Sequence, residues 1–385
     1  MEMHPGGIET LILRMSDWLI KNGHTVDLVL YNKKGDLLSK ININVKINIL
    51  GRFPEWSFIK KYLANEFSTD YDVIYSFIPP TSWMALLIAK KCINNPIILH
   101  GVYHIYDFKI FADGFHRRVF NEKIPDNCKA FMSQRVKEEH EKILGRSIIN
   151  PIIWPLPIIT SKFEKIVRHP KKFKIVSIGR LETFKTYNIL MLDLIKCLIN
   201  EYPNVNYYIY GSGVMFKRIK SKIEKMGLKN NVFLMGTIDY DKIPEALSDA
   251  YAFIGMGTSV IEAGLCKVPS ITAIAYSKEL ISHGFIHELE GYNCGEYDKS
   301  LPVYNIKDLL LNLFNMEEYK YNDLCSASYY SLREKYSIED LMNRLMIIIE
   351  RKKREGFILP NLKPPIFYVL YRTIRRVLKR IIKLY

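Results

Sequence analysis

The chain has 385 residues, a formal net charge of +15 and an apolar fraction of 48%, more than one hydrophobic core usually supports, so two domains of about 150 to 200 residues are expected. Six cysteines with no C-x-x-C pair and no histidine at zinc spacing exclude a disulfide scaffold and suit a reducing compartment. With no run near the ~20 apolar residues of a spanning helix and no signal-peptide order at the start, a cytoplasmic protein is expected, whose positive charge calls for anionic lipid, nucleic acid or a phosphorylated small molecule.

In chain order, Gly6 and Gly7 form a turn before a helix whose apolar positions are Ile8, Leu11, Ile12, Met15 and Leu19, ended at Gly23. A strand "HTVDLVLY" runs to Tyr31. A glycine turn at a helix start normally follows the first strand of an α/β unit, so that strand is expected upstream of Met1; the alternative is a sheet without its central strand. "YDVIYSFI", a helix over 82–91, the strand "PIILH", "KAFMSQ" and the helical "RVKEEHEKILG" continue the alternation. Pro151, Pro155, Pro157 and Pro170 mark "NPIIWPLPIITSKFEK" as the crossing between domains.

The second half alternates more regularly: "FKIVSIG", a helix over 187–200, "VNYYIYG", a helix over 214–226, "NVFLMG", "KIPEALSDA", "YAFIG", a helix over 259–266 and "PSITAI". This is the pattern of a doubly wound sheet, whose ligands lie outside the carboxyl ends of the strands. Three strand ends carry candidate residues. Gly179 and Arg180, with Lys185 in "GRLETFKT", suit a diphosphate or are merely solvated cations. Gly211 and Gly213 in "YGSGVMFKRI" let backbone approach a ligand, or simply serve a turn. Gly255, Gly257, Thr258 and Ser259 precede Glu262, with Thr258 and Ser259 as N-cap candidates. Glu262 can accept ribose hydroxyls; the plainer alternative is a capping box with Ser259.

Taken together, "IGRLETFKT", "YGSGVMFKRI", "NVFLMGTI", "IPEALSDAYAFIGMGTSVIEAGLCKVPSI", "GGIETLILRMSDWLIKNGHTVDLVLY" and "PLPI" resemble, in order, the landmarks of glycosyltransferase family 4. The resemblance implies a GT-B fold, two Rossmann-like doubly wound α/β domains facing a cleft, and retaining transfer from a nucleotide-diphosphate sugar. It assigns Arg180 and Lys185 to the donor diphosphate, Gly211–Gly213 to the nucleotide wall and Glu262 to the ribose, beside which Gly179 and the loop Gly255 to Ser259 are read as facing the phosphates. Gly6 and Gly7 match a loop closing over the diphosphate, and His100 in "IILHGVY", preferred over His104, matches a histidine beside the transferred sugar. Ile254 stands where the family has its first signature acid, implying an unusual donor, an acid supplied by another loop, or lost activity. No D-x-D motif stands where a metal–diphosphate bridge belongs, so no metal and no cofactor beyond the donor are expected.

After Pro364 and Pro365 the chain ends "IFYVLYRTIRRVLKRIIKLY". Ile366, Val369, Leu370, Thr373, Ile374, Val377, Leu378 and Ile381 share a helical face, and Arg372, Arg375, Arg376, Lys379, Arg380 and Lys383 supply positive charge. Such a helix lies in a membrane interface, or docks on its own protein. The expected domains are 1–160 on the acceptor side, 161–335 for the nucleotide sugar, and 336–385 as a crossing helix and membrane-surface tail. The expected protein is a peripheral enzyme on the inner face of the cell membrane, acting on a lipid-linked or polysaccharide acceptor in capsule, lipopolysaccharide or exopolysaccharide synthesis. The alternatives are a nucleotide-sugar epimerase and a non-catalytic scaffold; nucleic-acid binding is weakest, for want of a reading helix or stacking sheet.

Overall fold

The structure is a computed structural model describing residues 3, 6–105, 113–356 and 358–382, with side chains through Leu378. The chain divides into two compact units, residues 1–157 with 338–385, and residues 158–337.

The first unit opens with α1 (Gly7–Lys21), followed by β1 (Asp27–Leu30), β2 (Lys46–Ile49), α2 (Pro54–Leu63), β3 (Val73–Ser76) and α3 (Ser82–Lys91). Next come β4 (Ile97–Val102), α4 (Gly114–Arg118), β5 (Lys129–Phe131), α5 (Gln134–Leu144) and β6 (Ile152–Ile153). α1 forms because Leu11, Ile12, Met15 and Trp18 recur on one buried face. α5 has both its stops in the sequence: the Ser133 hydroxyl accepts from the Val136 amide (3.2 Å), and Gly145 ends it in the left-handed conformation. All strand pairs of this unit are parallel, but they form two sheets, β1-β2 and β3-β4-β5-β6. Strand β2 and helix α2 add to the elements read from the sequence, although Lys46 to Ile49 does alternate polar with apolar residues; β2 is nowhere fully buried.

The second unit comprises β7 (Lys174–Ile178), α6 (Tyr187–Leu198), β8 (Asn206–Tyr210), α7 (Phe216–Lys225), β9 (Val232–Gly236), α8 (Ile243–Leu247) and β10 (Ala252–Gly255). It continues through α9 (Thr258–Leu265), β11 (Ser270–Ala273), β12 (Ile281–Phe285), β13 (Tyr304–Asn305), α10 (Ile306–Phe314) and α11 (Glu318–Tyr336). Its seven strands lie in the order β13-β12-β11-β10-β7-β8-β9. The β9-to-β11 portion is parallel and doubly wound; β12 and β13 run antiparallel and were not foreseen. Strand order reverses between β7 and β10, the switch point outside whose strand ends ligands bind in sheets of this class.

The chain then returns to the first unit with α12 (Ile338–Glu355) and α13 (Ile366–Ile382). Among the described residues, no helix is long and apolar enough to cross a membrane. Helix α13 packs on α2. Val369 is fully buried, Tyr368 donates to Asp113 (2.7 Å), and Arg376 forks onto the buried Glu55 (2.7 Å for one arm). Arg372 lies between Asp113 (3.4 Å) and Glu55 (3.6 Å). This corrects the expected single apolar face. Val369 and Thr373 lie on the stripe that carries Arg372 and Arg376, which is turned to the protein, and the ion pairs occupy those two cations. Phe367, Leu370, Tyr371, Ile374 and Leu378 form a separate exposed stripe. The side chains of Lys379, Arg380, Ile381 and Lys383 lie outside the described residues.

Candidate active site

Residues that follow β7, β8 and β10 meet at the switch point of the second unit. Gly179 directly follows β7, and a side chain there would meet the Lys185 ammonium at 2.7 Å and approach the Ser259 hydroxyl at 3.9 Å. Three candidates from separate stretches are therefore neighbours: the glycine after one strand, the cation five residues on, and the first turn of α9 after another strand. Arg180 is exposed beside them, its charge acting on Lys185. Desolvation and then the Arg180 charge hold the Lys185 ammonium down at about 8, with Glu182 opposing. Two cations held this close repel each other, and an anion between them relieves the repulsion.

Gly211 and Gly213 serve this site at one remove. At Gly211, φ is +149°, and an added Cβ would lie 2.0 Å from the carbonyl oxygen of Gly179; at Gly213 it would lie 2.6 Å from that of Leu181. The amide of Gly179 donates to Tyr210 (2.9 Å), Leu181 to Ser212 (2.8 Å) and Met215 to Leu181 (3.0 Å). The glycines let one loop lie backbone against backbone on the other, so they fix the Gly179–Leu181 turn.

At α9 the N-cap is Gly257 (φ +72°), which corrects the expected Thr258 or Ser259 cap. Thr258 opens the helix, and the Ser259 hydroxyl donates to Met256 (3.2 Å). The capping-box alternative for Glu262 therefore fails, because Glu262 sits more than a turn past the cap. Glu262 is 3% exposed; burial, and then the Glu262 charge, pushes the Cys266 thiol up. The first-turn amides of α9 and the positive end of its dipole face the strand-end side, where they favour an anion.

Ile254 is fully buried in β10, paired with Ile271 and packed into the apolar core; its carbonyl accepts from Ser177 (2.6 Å). An acid in the place the Ile254 side chain occupies would be a charge inside the core. Sequence reasoning missed the segment that underlies this turn. Gly257 donates to Cys294 (2.7 Å), Ala275 to Gly295 (2.8 Å), and Asn293 accepts from the amides of Gly295 (2.9 Å) and Glu296 (3.1 Å). Glu296 is buried and accepts from the Cys294 amide (3.2 Å). Its only sequence signal was the Asn-Cys-Gly-Glu turn composition.

In the first unit, His100 lies within β4 and not in a loop after it. It is fully buried, with Nδ1 at 2.6 Å from the Ser76 hydroxyl and 3.0 Å from that of Ser82. Burial, then the Lys129 and His140 charges, push its pKa down to about 3, so it is a neutral core histidine. That corrects the expected loop placement of His100; His104, half-buried, lies just past β4. Gly7 is the first helical residue of α1 and Gly6 its extended N-cap, so neither glycine is required by a positive φ.

A family model described as Glycosyltransferase Family 4 matches residues 5–142, and one described as Glycosyl transferases group 1 matches residues 159–322. Among curated proteins, the chain is 26% identical over 261 residues to the poly(ribitol-phosphate) alpha-N-acetylglucosaminyltransferase of Staphylococcus aureus (strain COL), covering 64% of this chain and 49% of that one. It is 29% identical over 312 residues to the poly(glycerol-phosphate) alpha-glucosyltransferase of Bacillus subtilis (strain 168), covering 77% and 42%. The chain thus spans about half the length of these relatives. Among solved structures, Anabaena HepE in complex with UDP superposes with a TM-score of 0.69 at 16% identity, over 91% of this chain and 98% of that one. Staphylococcus aureus TarM in complex with UDP, fondaparinux and alpha-GlcNAc-glycerol gives 0.56 at 19% identity, over 77% and 59%. The fold shared with these structures is GT-B.

Proposed function

The chain belongs to the family 4-like glycosyltransferases, and from that premise we propose that it moves a sugar from a nucleotide-diphosphate donor to a cell-surface glycan polymer or its lipid-linked precursor, retaining the anomeric configuration. The observation that carries this reading is the meeting of Gly179, Lys185 and Ser259 at one switch point, with Arg180 beside them. The Lys185 ammonium and the Arg180 guanidinium are the groups that stabilise charge building on the departing diphosphate, with the first-turn amides of α9 adding donors. Glu262 takes the ribose end. Protein cations do the work a bridging metal does elsewhere, so the reaction proceeds in chelator. The curated relatives are named for phosphate-bearing polymers, and the +15 charge of this chain suits an anionic acceptor of that kind.

The burial of Ile254 in the core bears on the inactive-relative reading. The isoleucine serves the apolar core, so its presence does not by itself argue for lost activity while Lys185, Arg180 and Glu262 remain. The test is release of free nucleoside diphosphate from a panel of nucleotide sugars, with and without poly(glycerol phosphate) or membrane extract as acceptor. Acceptor-dependent release is expected, with Arg180→Ala lowering kcat/KM by about 100-fold or more. Donor binding without turnover would select the scaffold; release of an altered nucleotide sugar without acceptor would select the epimerase.

The exposed stripe of α13 supports the companion proposal that the protein rests on an anionic membrane surface. Phe367 is 89% exposed and Tyr371 58%, on the side of the helix opposite Val369. An aromatic and aliphatic stripe on a helix already fixed to the protein is what an interfacial anchor presents.

A further inference from the structure

The loop after β11 holds a bulky side chain in a backbone conformation that suits none. Among the described residues, three aromatic ones have a positive φ: Phe173 (+71°), Tyr276 (+60°) and Tyr292 (+60°). For two of them packing accounts for the strain. Phe173 lies against Tyr202 and Phe314, with ring centroids 5.2 and 5.0 Å away, and Tyr292 meets Tyr336 edge-on at 5.8 Å. Tyr276 differs from both in being exposed, at 46%. Glycine or asparagine would serve such a turn with less strain, so an exposed tyrosine kept there points to a use for its ring.

The backbone of Tyr276 is fixed to both sides of the anion site. Its amide donates to the carbonyl of Phe184 (2.8 Å), and the two rings lie 5.6 Å apart at 32°. Phe184 is the residue before Lys185. On the other side, the Ala275 amide donates to Gly295 (2.8 Å), next to Cys294, whose carbonyl accepts from the α9 N-cap Gly257 (2.7 Å). A Cβ added at Gly295 would lie 2.6 Å from Met256 Cβ and 2.9 Å from the Ala273 carbonyl oxygen, so these turns are in close contact. The tyrosine is thereby pre-organised beside the cation pair and the start of α9.

Strand order indicates which part of a ligand the ring meets. The sheet runs β11-β10-β7-β8, and the anion site lies at the ends of the middle two. Gly211–Gly213 follow β8 on one flank, and Tyr276 follows β11 on the other. A nucleotide-diphosphate sugar carries one group at each end of its anion. With the β8 flank taken by the nucleotide, the sugar extends toward β11. A sugar ring offers a face of C–H groups with partial positive charge, which packs on the electron-rich face of an aromatic side chain.

We propose that Tyr276 is the platform on which the donor's transferred sugar stacks, and so a residue that sets which sugar is accepted. The proposal rests on the transfer reading, with Lys185 and Arg180 gripping the diphosphate, and adds the sugar side of that site. The C–H face that a sugar presents depends on the configuration of its hydroxyls, so the ring weighs one donor against another.

The test measures equilibrium binding by calorimetry for the wild-type chain and three variants. The ligands are UDP-glucose, UDP-N-acetylglucosamine, UDP-galactose and GDP-mannose, each beside its own nucleoside diphosphate. Tyr276→Ala weakens the best-bound nucleotide sugar about tenfold and leaves its nucleoside diphosphate within about twofold. Tyr276→Phe keeps the affinity for both, because stacking needs the ring and not the hydroxyl. Tyr276→Gly loses the sugar contribution while holding the melting temperature, since it relieves the strained φ, and this separates stacking from loss of fold. Equal weakening of the nucleotide sugar and the nucleoside diphosphate would set the ring against the nucleoside, and unchanged binding of both would set it outside the donor site; either overturns the proposal. A wild-type chain that binds none of these ligands overturns the transfer reading and the proposal with it, so the wild type alone tells the two failures apart.

Discussion

Lys185 is where single-residue chemistry is most exposed to experiment. Its ammonium is held down at about 8 by desolvation and by Arg180, so it is mostly charged at pH 7 and loses its proton as pH rises through 8. If the ammonium grips the donor diphosphate, the KM for the donor rises about tenfold between pH 7 and pH 9 as the charged fraction falls. Lys185→Met starts from a higher KM and is flat over that range; a slope that survives the substitution would place the titrating group elsewhere. At this scale the sequence named Gly179, Arg180, Lys185, Ser259 and Glu262, because glycine turns and cations are conspicuous in one dimension. It placed His100 in a loop, because nothing in "IILHGVY" tells that the strand runs on to Val102 and sets the imidazole beside Ser76 and Ser82. Ile254 could be read in one dimension only as a departure; three dimensions show it as a core residue.

At the scale of elements, two turns of the second unit are locked by direct backbone contact. Gly211→Ala places a methyl 2.0 Å from the Gly179 carbonyl oxygen, with no flexible side chain to yield, at a φ of +149°. Gly257→Ala meets open space and bears only the backbone strain of φ +72°. Chemical denaturation should find the first costing more than about 3 kcal/mol and the second about 1–2 kcal/mol. Equal losses would mean that the loops do not lie against each other. Helix α13 offers a second test, since Glu55 forms ion pairs with both Arg372 and Arg376. Glu55→Ala leaves both guanidiniums without that partner, and rapid amide exchange over 366–378 is expected while the rest of the unit stays protected. Burial raises the Asp113 pKa, yet the hydrogen bonds from Tyr368 and His116, with the His116 and Arg372 charges, bring it below its usual value. A depressed carboxyl stabilises fully above its ordinary pKa and loses that contribution as pH falls through the folded value, so acid should loosen α13.

For the whole molecule, the tail connects fold to location. Residues 338–385 belong with the first unit, so a helix at the end of the sequence is packed on elements from its beginning. Removing residues 366–385 should shift the protein from the membrane pellet to the supernatant. It should also abolish flotation with phosphatidylglycerol vesicles while donor turnover in solution persists; unchanged flotation would leave α13 as a docked helix only. The alternation of β-branched runs with amphipathic segments specified the α/β class, most of the parallel strands and the strand-end loops, because local propensity and periodicity need only neighbouring residues. Tertiary structure alone decided which loops meet at the β7–β10 switch point, which histidine is sealed in a strand, and which stripe of α13 faces the protein. Each depends on contacts between residues far apart in the chain, and no local pattern records which distant surface will desolvate a given side chain.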